Sequence, residues 1–293
     1  MLPYVFRHDS VFYLFYTGWD ESAKGCIGLA TSHDGYHYAK YPENPVLSPG
    51  DAGFDSFRVG ASVVLKEDSI WVMYYSADDL GSYMPSPYVG RATAGGLTGP
   101  WNRSETPVLT RGDKSEWDGE FLFPSSILRM DDGSYRMYYT AGADFIARKY
   151  FSIGMATSGD GIHWKKYNDP ATTEHPFAES DPVLQPGIYD EWDNEGAFAC
   201  TVYRVANGFE MYYGGEKRTN GNQEMSFGLA SSKDGIHWVK YVNNPVYVAY
   251  IGATRRKFCE GPSICFTDSL SYLYYDYGTV EGKIGMATAR IQK

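Results

Sequence analysis

Ile153-Gly154-Met155-Ala156-Thr157-Ser158, followed by Asp160-Gly161-Ile162-His163-Trp164, is the stretch from which this chain is read, because the chain repeats it. Ile27-Gly28-Leu29-Ala30-Thr31-Ser32 leads to Asp34-Gly35-Tyr36-His37-Tyr38, and Phe227-Gly228-Leu229-Ala230-Ser231-Ser232 leads to Asp234-Gly235-Ile236-His237-Trp238. Val89-Gly90-Arg91-Ala92-Thr93 and Ile284-Gly285-Met286-Ala287-Thr288 complete a set of five. Self-similarity at a fixed spacing marks units that cannot bury their apolar faces alone and must stack on one another.

Working outward from the third copy gives the plan of a unit. Phe123-Pro124-Ser125-Ser126-Ile127-Leu128 reads as a strand, Asp131-Asp132-Gly133 as a tight turn, and Tyr135-Arg136-Met137-Tyr138-Tyr139-Thr140 as an alternating aromatic strand. The repeated stretch is the third strand, and Trp164-Lys165-Lys166-Tyr167 the fourth. Pro182-Val183-Leu184 closes the unit. Short, evenly spaced strands between Gly and Asp turns indicate an all-β assembly. Four antiparallel strands per repeat, set around a ring, make a five-bladed β-propeller. No linker is visible, so residues 1–293 are read as a single domain.

The last blade reads as incomplete, because the sequence stops at Ile291-Gln292-Lys293, after a third strand. Pro3-Tyr4-Val5-Phe6 already reads as the innermost strand of blade one. The expectation is that a native N-terminal segment is missing from this sequence; a fully paired four-stranded fifth blade would exclude it.

The composition narrows the function classes. Apolar residues make up 43% and aromatic residues 16%, with 26 Tyr. Aromatics suit pleated half-buried surfaces and also line carbohydrate sites. A net charge of −10 argues against nucleic acid and anionic membrane as partners. No apolar run approaches the roughly 20 residues of a membrane span. No signal peptide is visible, so a cytoplasmic location is expected; a leader outside this sequence would make the protein secreted. Cys259 and Cys265 would lie about 20 Å apart on one extended strand, too far to bridge. With Cys26 and Cys200 they read as free thiols.

Alternating strand direction sorts the loops onto two faces. Asp34, Asp160 and Asp234, with His37, His163 and His237 behind them, recur at identical places and read as turn residues. The other face carries the long segments into each inner strand. Phe54-Asp55, Trp117-Asp118 and Trp192-Asp193 stand seven residues ahead of Ser62, Ser125 and Cys200. Between them and the strand lie residues that differ, namely Arg58, Glu120 and Glu195; in the fifth blade Glu260 opens the strand. A carboxylate at the axis end of an inner strand costs free energy unless it is paired or solvated. The second loops of this face add Trp19, Asp20, Asp79, Arg148, Glu216, Arg218 and Tyr277 as candidate ligand contacts. Carboxyl groups flanking a glycosidic bond are what its hydrolysis needs, one as acid and one as base or nucleophile. Crowding raises the pKa of at least one of them.

The chain resembles the five-bladed β-propeller glycosidases, the group that includes glycoside hydrolase families 43, 32, 68, 117 and 130. Tyr13-Leu14-Phe15-Tyr16-Thr17-Gly18, the Asp-Gly-x-His-aromatic copies, Leu97-Thr98-Gly99-Pro100-Trp101 and Glu260-Gly261-Pro262 carry the likeness, and the last two are most similar to family 43. The resemblance implies a general acid at Glu260. It also implies Asp-Pro at the start of blade one and on a later inner strand. Here Leu2 precedes Pro3, and Gly60, Phe123 and Phe198 hold the other matching places. The usual three-acid set does not map.

The expectation is therefore a glycoside hydrolase that cleaves an oligo- or polysaccharide with paired carboxylates in an axial pocket: Glu260 as acid, with Glu195, Glu120 or Asp55 as base. A catalytically inactive carbohydrate-binding propeller and a glycoside phosphorylase are the alternatives. No ligand set for a metal or other cofactor is visible, and oligomeric state is left open.

Overall fold

Each copy of the repeat forms one antiparallel sheet, and the five sheets are arranged as the blades of a propeller. The computed structural model describes residues 2–19, 24–81, 86–143, 151–219, 222–251, 256–257, 259–277 and 283–290. Blade 1 contains β1 (Tyr4–His8), β2 (Val11–Trp19), β3 (Gly25–Ser32) and β4 (Ala39–Lys40). Blade 2 contains β5 (Arg58–Glu67), β6 (Ile70–Asp78), β7 (Tyr88–Ala94), β8 (Asn102–Arg103) and β9 (Leu109–Thr110). Blade 3 contains β10 (Phe121–Arg129), β11 (Tyr135–Gly142), β12 (Ser152–Ser158), β13 (Lys165–Lys166) and β14 (Pro182–Leu184). Blade 4 contains β15 (Gly196–Val205), β16 (Gly208–Thr219), β17 (Asn222–Ser232) and β18 (Val239–Lys240). After the short hairpin of β19 (Tyr250–Ile251) and β20 (Arg256–Lys257), blade 5 contains β21 (Glu260–Phe266), β22 (Leu270–Tyr277) and β23 (Lys283–Arg290). The last sheet thus has three strands among the described residues.

The fourth strand is only two residues long in each of blades 1 to 4. The chain then returns along the same edge, so that Pro-Val-Leu lies against the first half of the third strand. In blade 3, Leu184 stands opposite Ile153 and Lys166 opposite Ala156. Asn44 and Asn244 fill the gap in blades 1 and 4. Each side chain accepts from the backbone N–H of the facing leucine, Leu29 or Leu229, at 2.8 and 2.9 Å. Each also donates to that leucine's carbonyl.

The repeated glycine has a steric cause. Gly28, Gly90, Gly154, Gly228 and Gly285 stand directly opposite Tyr16, Tyr75, Tyr139, Tyr213 and Tyr275 on the second strands. Each tyrosine ring lies across its glycine, and an added Cβ would come within 2.3 to 2.9 Å of ring atoms. The ring covers backbone that a side chain would otherwise occupy, and in blades 2, 3 and 4 it is fully buried. Burying an aromatic side chain on that scale stabilises by about 1.5–3 kcal/mol.

Neighbouring blades are tied by a second repeated contact. Tyr74 donates to the Gly161 carbonyl at 2.7 Å, Tyr138 to Gly235 at 2.9 Å and Tyr274 to Gly35 at 2.8 Å. The last of these joins blade 5 to blade 1. So does the Val5 N–H, which donates to Ser263 Oγ at 2.8 Å. The ring is therefore closed by contacts between blades.

The accepting glycines sit in the Asp-Gly-x-His turns, and these turns are built alike. Asp160 Oδ1 accepts from the backbone N–H of Ile162 and His163, both at 2.8 Å, while Oδ2 meets His163 Nδ1 at 2.7 Å. Asp34 with His37 and Asp234 with His237 repeat the arrangement. The histidines brace turns on the face opposite the inner-strand entrances.

Candidate functional site

The five inner strands β1, β5, β10, β15 and β21 pack around the axis, each against the next. Four of them carry a bulge near the start, where pairing slips by a residue: Gly60/Val63, Pro124/Ser126, Phe198/Cys200 and Glu260/Ser263. Three bulge residues, Ala61, Ala199 and Gly261, take positive φ. A non-glycine residue in that region is uncommon and requires support. It comes from the preceding blade: Ala61 N–H donates to Thr17 Oγ1 at 2.9 Å, and Ala199 N–H donates to Thr140 Oγ1 at 2.7 Å. The bulge re-aims the residue before it.

Those residues are Gly60, Phe123, Phe198 and Glu260 in blades 2 to 5, and Leu2 holds the matching place ahead of β1 in blade 1. Four are apolar or lack a side chain; one is an acid. Leu2 packs beside Gly261, where an added Cβ would meet Leu2 Cδ2 at 2.6 Å. Leu2 and Phe123 lie half-buried against Phe121, Phe151, Phe198 and Met225. Phe121 and Phe151 meet edge to face with centroids 4.8 Å apart, and Phe151 meets Phe198 at 6.1 Å. Glu260 is therefore an acid beside an apolar floor.

Further carboxyl groups surround it. Asp276 is buried directly across from Glu260 on β22. Burial pushes its carboxyl above the ordinary range, and the charge of Glu260 adds to the effect. Glu195 and Glu120 occupy equivalent half-buried places three residues ahead of Phe198 and Phe123. Their backbone N–H groups donate to the carbonyls of Glu216 and Gly142, at 3.0 and 3.1 Å. Arg111 reaches the Glu120 carbonyl at 3.3 Å. Glu216 is buried and paired with Arg218 Nε at 3.2 Å. Asp78 is buried on blade 2, with Arg58 Nη2 at 3.1 Å. Burial raises the Asp78 carboxyl, while the Leu80 N–H and Arg58 oppose that. The Arg58 guanidinium lies over the Trp19 ring, 5.3 Å from its centroid, and over Phe57 at 5.7 Å. Trp19 is 55% exposed, and Asp79 is exposed beside Asp78. Tyr277 is half-buried, its ring edge-on to Tyr275.

These residues share the end of the propeller where inner strands begin and second strands finish. Asp55 does not join them. It is buried with Oδ2 between Tyr75 Oη at 2.8 Å and Arg103 Nη1 at 2.6 Å, and Arg103 belongs to the outermost strand of blade 2. Asp118 with Lys166 at 2.5 Å, and Asp193 with Lys240 at 2.7 Å, repeat this arrangement. The aromatic-Asp pairs thus pin each entering segment to the outer strand of the blade it enters. Asp20 and Arg148 lie outside the described residues.

Sequence places Asp78-Asp79 and Asp276-Tyr277 in the loops of this face, with Asp79 and Tyr277 as the candidate contacts, and the structure buries Asp78 and Asp276. Comparing copies would have found Asp276. Thr17, Ser76, Thr140 and Gly214 hold the matching place in the other blades, one residue after the strand-two tyrosine, and only the fifth is an acid. Among the described residues, no group of three or more His, Cys, Asp or Glu is placed to hold a metal ion. No described helix is long and apolar enough to cross a membrane. The cysteines are free, and Cys200, Cys259 and Cys265 are buried.

No family model matches the chain, and no curated protein does. Solved structures do. A structure described as a glycoside hydrolase matches 99% of this chain and 87% of its own, with a TM-score of 0.77 at 18% identity. A thermostable family-43 glycoside hydrolase matches 99% and 89%, with a TM-score of 0.70 at 17% identity. A β-1,2-mannobiose phosphorylase from Listeria innocua, in complex with β-1,2-mannobiose, matches 98% and 88%, with a TM-score of 0.69 at 13% identity. The fold is that of the five-bladed β-propeller glycoside hydrolases and phosphorylases. At these identities the likeness concerns the fold, and chemistry has to be argued from the site.

Proposed function

We propose that this chain is a glycoside hydrolase acting on an oligo- or polysaccharide at the axial end of its inner strands. The observation that carries the reading is the placing of Glu260 as the sole acid among five equivalent axial residues, with further carboxyl groups around it. Glu260 is the general acid that gives its proton to the leaving glycosidic oxygen as the bond to the anomeric carbon breaks. Glu195 is the favoured base, because it immediately precedes β15, which packs against β21. It takes a proton from the water that attacks the anomeric carbon, so that one water is consumed per bond cleaved. Glu120, one blade further round, is the second candidate. Asp55, committed to Arg103 and Tyr75, is left out.

Phosphorolysis is less well supported, because it needs cations available to phosphate. Of the candidate cations whose ion pairs are seen among the described residues, Arg58, Lys217 and Arg218 are each paired with a carboxylate, Asp78, Asp190 and Glu216 respectively, while Arg148 and Arg255 lie outside those residues. Release of reducing sugar from oligosaccharides and aryl glycosides, with and without phosphate, tests both readings. Glu260→Gln and Glu195→Gln are expected to lose about 10²–10⁴-fold in rate. Turnover that requires phosphate would favour the phosphorylase. Binding without turnover in either buffer would favour the inactive carbohydrate-binding propeller.

A further inference from the structure

The third strands of the five blades are alike in sequence, but their outer edges are not covered alike. In blades 1 to 4 the fourth strand sets Lys40 opposite Ala30, Arg103 opposite Ala92, Lys166 opposite Ala156 and Lys240 opposite Ala230. The returning segment then sets Leu47 opposite Ile27, Leu109 opposite Val89, Leu184 opposite Ile153 and Tyr247 opposite Phe227. Those alanines, with Ile27, Val89, Ile153 and Phe227, are buried. The matching residues of blade 5 are Ala287 and Ile284, and among the described residues β23 pairs only with β22. Ala287 and Ile284 are half-buried, and Thr288, Ala289 and Arg290 are exposed. A strand edge of this kind is a template for an added strand.

A cavity lies beside that edge. The residue ahead of each fourth strand is aromatic, and its ring meets the preceding blade. Tyr38 meets Tyr274, Trp101 meets Phe15, Trp164 meets Tyr74 and Trp238 meets Tyr138, with centroids 5.6 to 6.4 Å apart. Phe15, Tyr74, Tyr138 and Tyr274 hold one position of the second strand, and in blade 4 that position is Tyr212. Among the described residues, no ring of blade 5 meets Tyr212. Tyr212 borders instead a cavity of about 240 Å³, lined also by Val246, Leu273 and the edge residues Ala287, Thr288 and Ala289. A cavity of roughly 150 Å³ holds a benzene ring, so this one has room for an aromatic side chain.

We propose that the β23 edge binds an extended segment of a partner polypeptide, which adds a fourth strand to blade 5 and inserts an aromatic side chain against Tyr212. The other four blades supply the pattern of that segment: an aromatic residue, two residues opposite Thr288 and Ala287, then a return that sets an apolar residue opposite Ile284. A second copy of β23 does not fit. Laid antiparallel in full overlap, two such edges set Lys283 opposite Arg290 at both ends, and like charges directly opposite destabilise a pair. β23 also has no aromatic residue to fill the cavity. The same two cations favour a partner whose strand is flanked by acids. This surface lies on the outer edge of a blade and is independent of the carbohydrate chemistry at the axis.

The probe is a synthetic peptide of residues 32–47, the turn, fourth strand and return of blade 1, which carries Tyr38 and has one Lys against Asp34 and Glu43. Its binding to the full chain is measured by calorimetry and located by hydrogen exchange. Saturable binding that slows exchange of the outward-facing amides of β23 is the expected result. Tyr38→Ala in the peptide is expected to weaken binding about tenfold or more, as loss of an aromatic anchor does. Ala289→Trp in the protein, at an exposed place on the cavity wall, fills the cavity and is expected to weaken binding by a similar factor. The peptide variant keeps the test available if Ala289→Trp does not fold. No binding, binding that leaves β23 exchange unchanged, or equal affinity of the Tyr38→Ala peptide overturns the proposal. So does exchange in β23 of the protein alone that is as slow as in β3, β7, β12 and β17. In a dimer by sedimentation that result would assign the edge to a second copy, and in a monomer to another segment of the same chain.

Discussion

Gly154 stands directly across from Tyr139 on the neighbouring strand, and a Cβ added there would lie 2.3 Å from the phenol Cζ. The ring has no room to retreat, since Tyr139 is fully buried and stacked on Trp117 with centroids 6.0 Å apart. Gly154→Ala is therefore expected to destabilise by about 1–3 kcal/mol, the usual cost of overpacking a filled site. In Tyr139→Leu the same alanine should cost much less. A double-mutant cycle by chemical denaturation measures the coupling. Additive effects would mean that the ring does not dictate the glycine.

The inter-blade tyrosines carry a second expectation. Tyr274 donates to the Gly35 carbonyl across the junction of the first and last blades, and both groups are buried. Tyr274→Phe leaves that carbonyl without its donor, at a cost of about 1–3 kcal/mol. Tyr138→Phe, at the junction of blades 3 and 4, should cost a similar amount. If the ring-closing junction is weaker than the internal ones, amide exchange in blades 1 and 5 should rise selectively in Tyr274→Phe. Equal protection in all blades would show that the ring opens as a unit.

The outer ion pairs separate structure from chemistry. Asp193 is buried with Lys240 Nζ at 2.7 Å and Tyr213 Oη at 2.9 Å. Removing one partner of a buried pair leaves an uncompensated charge, so Lys240→Met is expected to cost about 3–5 kcal/mol. Asp55→Ala, which strands Arg103, should likewise lower the melting temperature. Asp55→Ala should leave the rate per folded molecule on any active glycoside unchanged. A large fall in kcat with an unchanged melting curve would return Asp55 to the list of bases.

The legibility of the sequence followed the same division. The Gly and Tyr copies disclosed the blades because each glycine stands opposite a tyrosine ring, joined in blade 4 by Trp192, a constraint that sequence displays. The entering Asp residues recur in the same way, as Asp55, Asp118 and Asp193, yet sequence offers Asp55 as a candidate base, and only the pairing with Tyr75 and Arg103 shows its structural task. The site was less legible. Sequence alternation cannot follow an inner strand through its bulge, because one extra residue moves everything beyond it to the other face. Nor does alternation pick Asp78 over Asp79, since β6 is buried at eight successive positions from Trp71 to Asp78. Glu260 is legible through Glu-Gly-Pro and Asp276 as the one acid among the five residues that follow the strand-two tyrosines, while the pairing of β21 with β22 sets the two opposite each other.

The Asp-His turns give a pH dependence whose sign can be worked out. Asp34, Asp160 and Asp234 are held well below the ordinary carboxylate value of 3.8, chiefly by the histidine side chain and then by backbone N–H groups. A depressed carboxyl contributes stability that is complete above its unfolded pKa and is lost as pH falls below about 3.8. His237 is shifted the other way, raised above 6.5 first by its bond to Asp234. Its contribution is complete below 6.5 and is lost as pH rises through the higher folded value. The Asp234–His237 turn therefore stabilises most between about pH 4 and 6.5. Melting curves from pH 3 to 9 should show the alkaline decline reduced in His237→Gln and the acid decline reduced in Asp160→Asn, which keeps an acceptor for the turn N–H groups. If both variants track the parent at every pH, the turns hold by their backbone bonds alone and the charges add nothing.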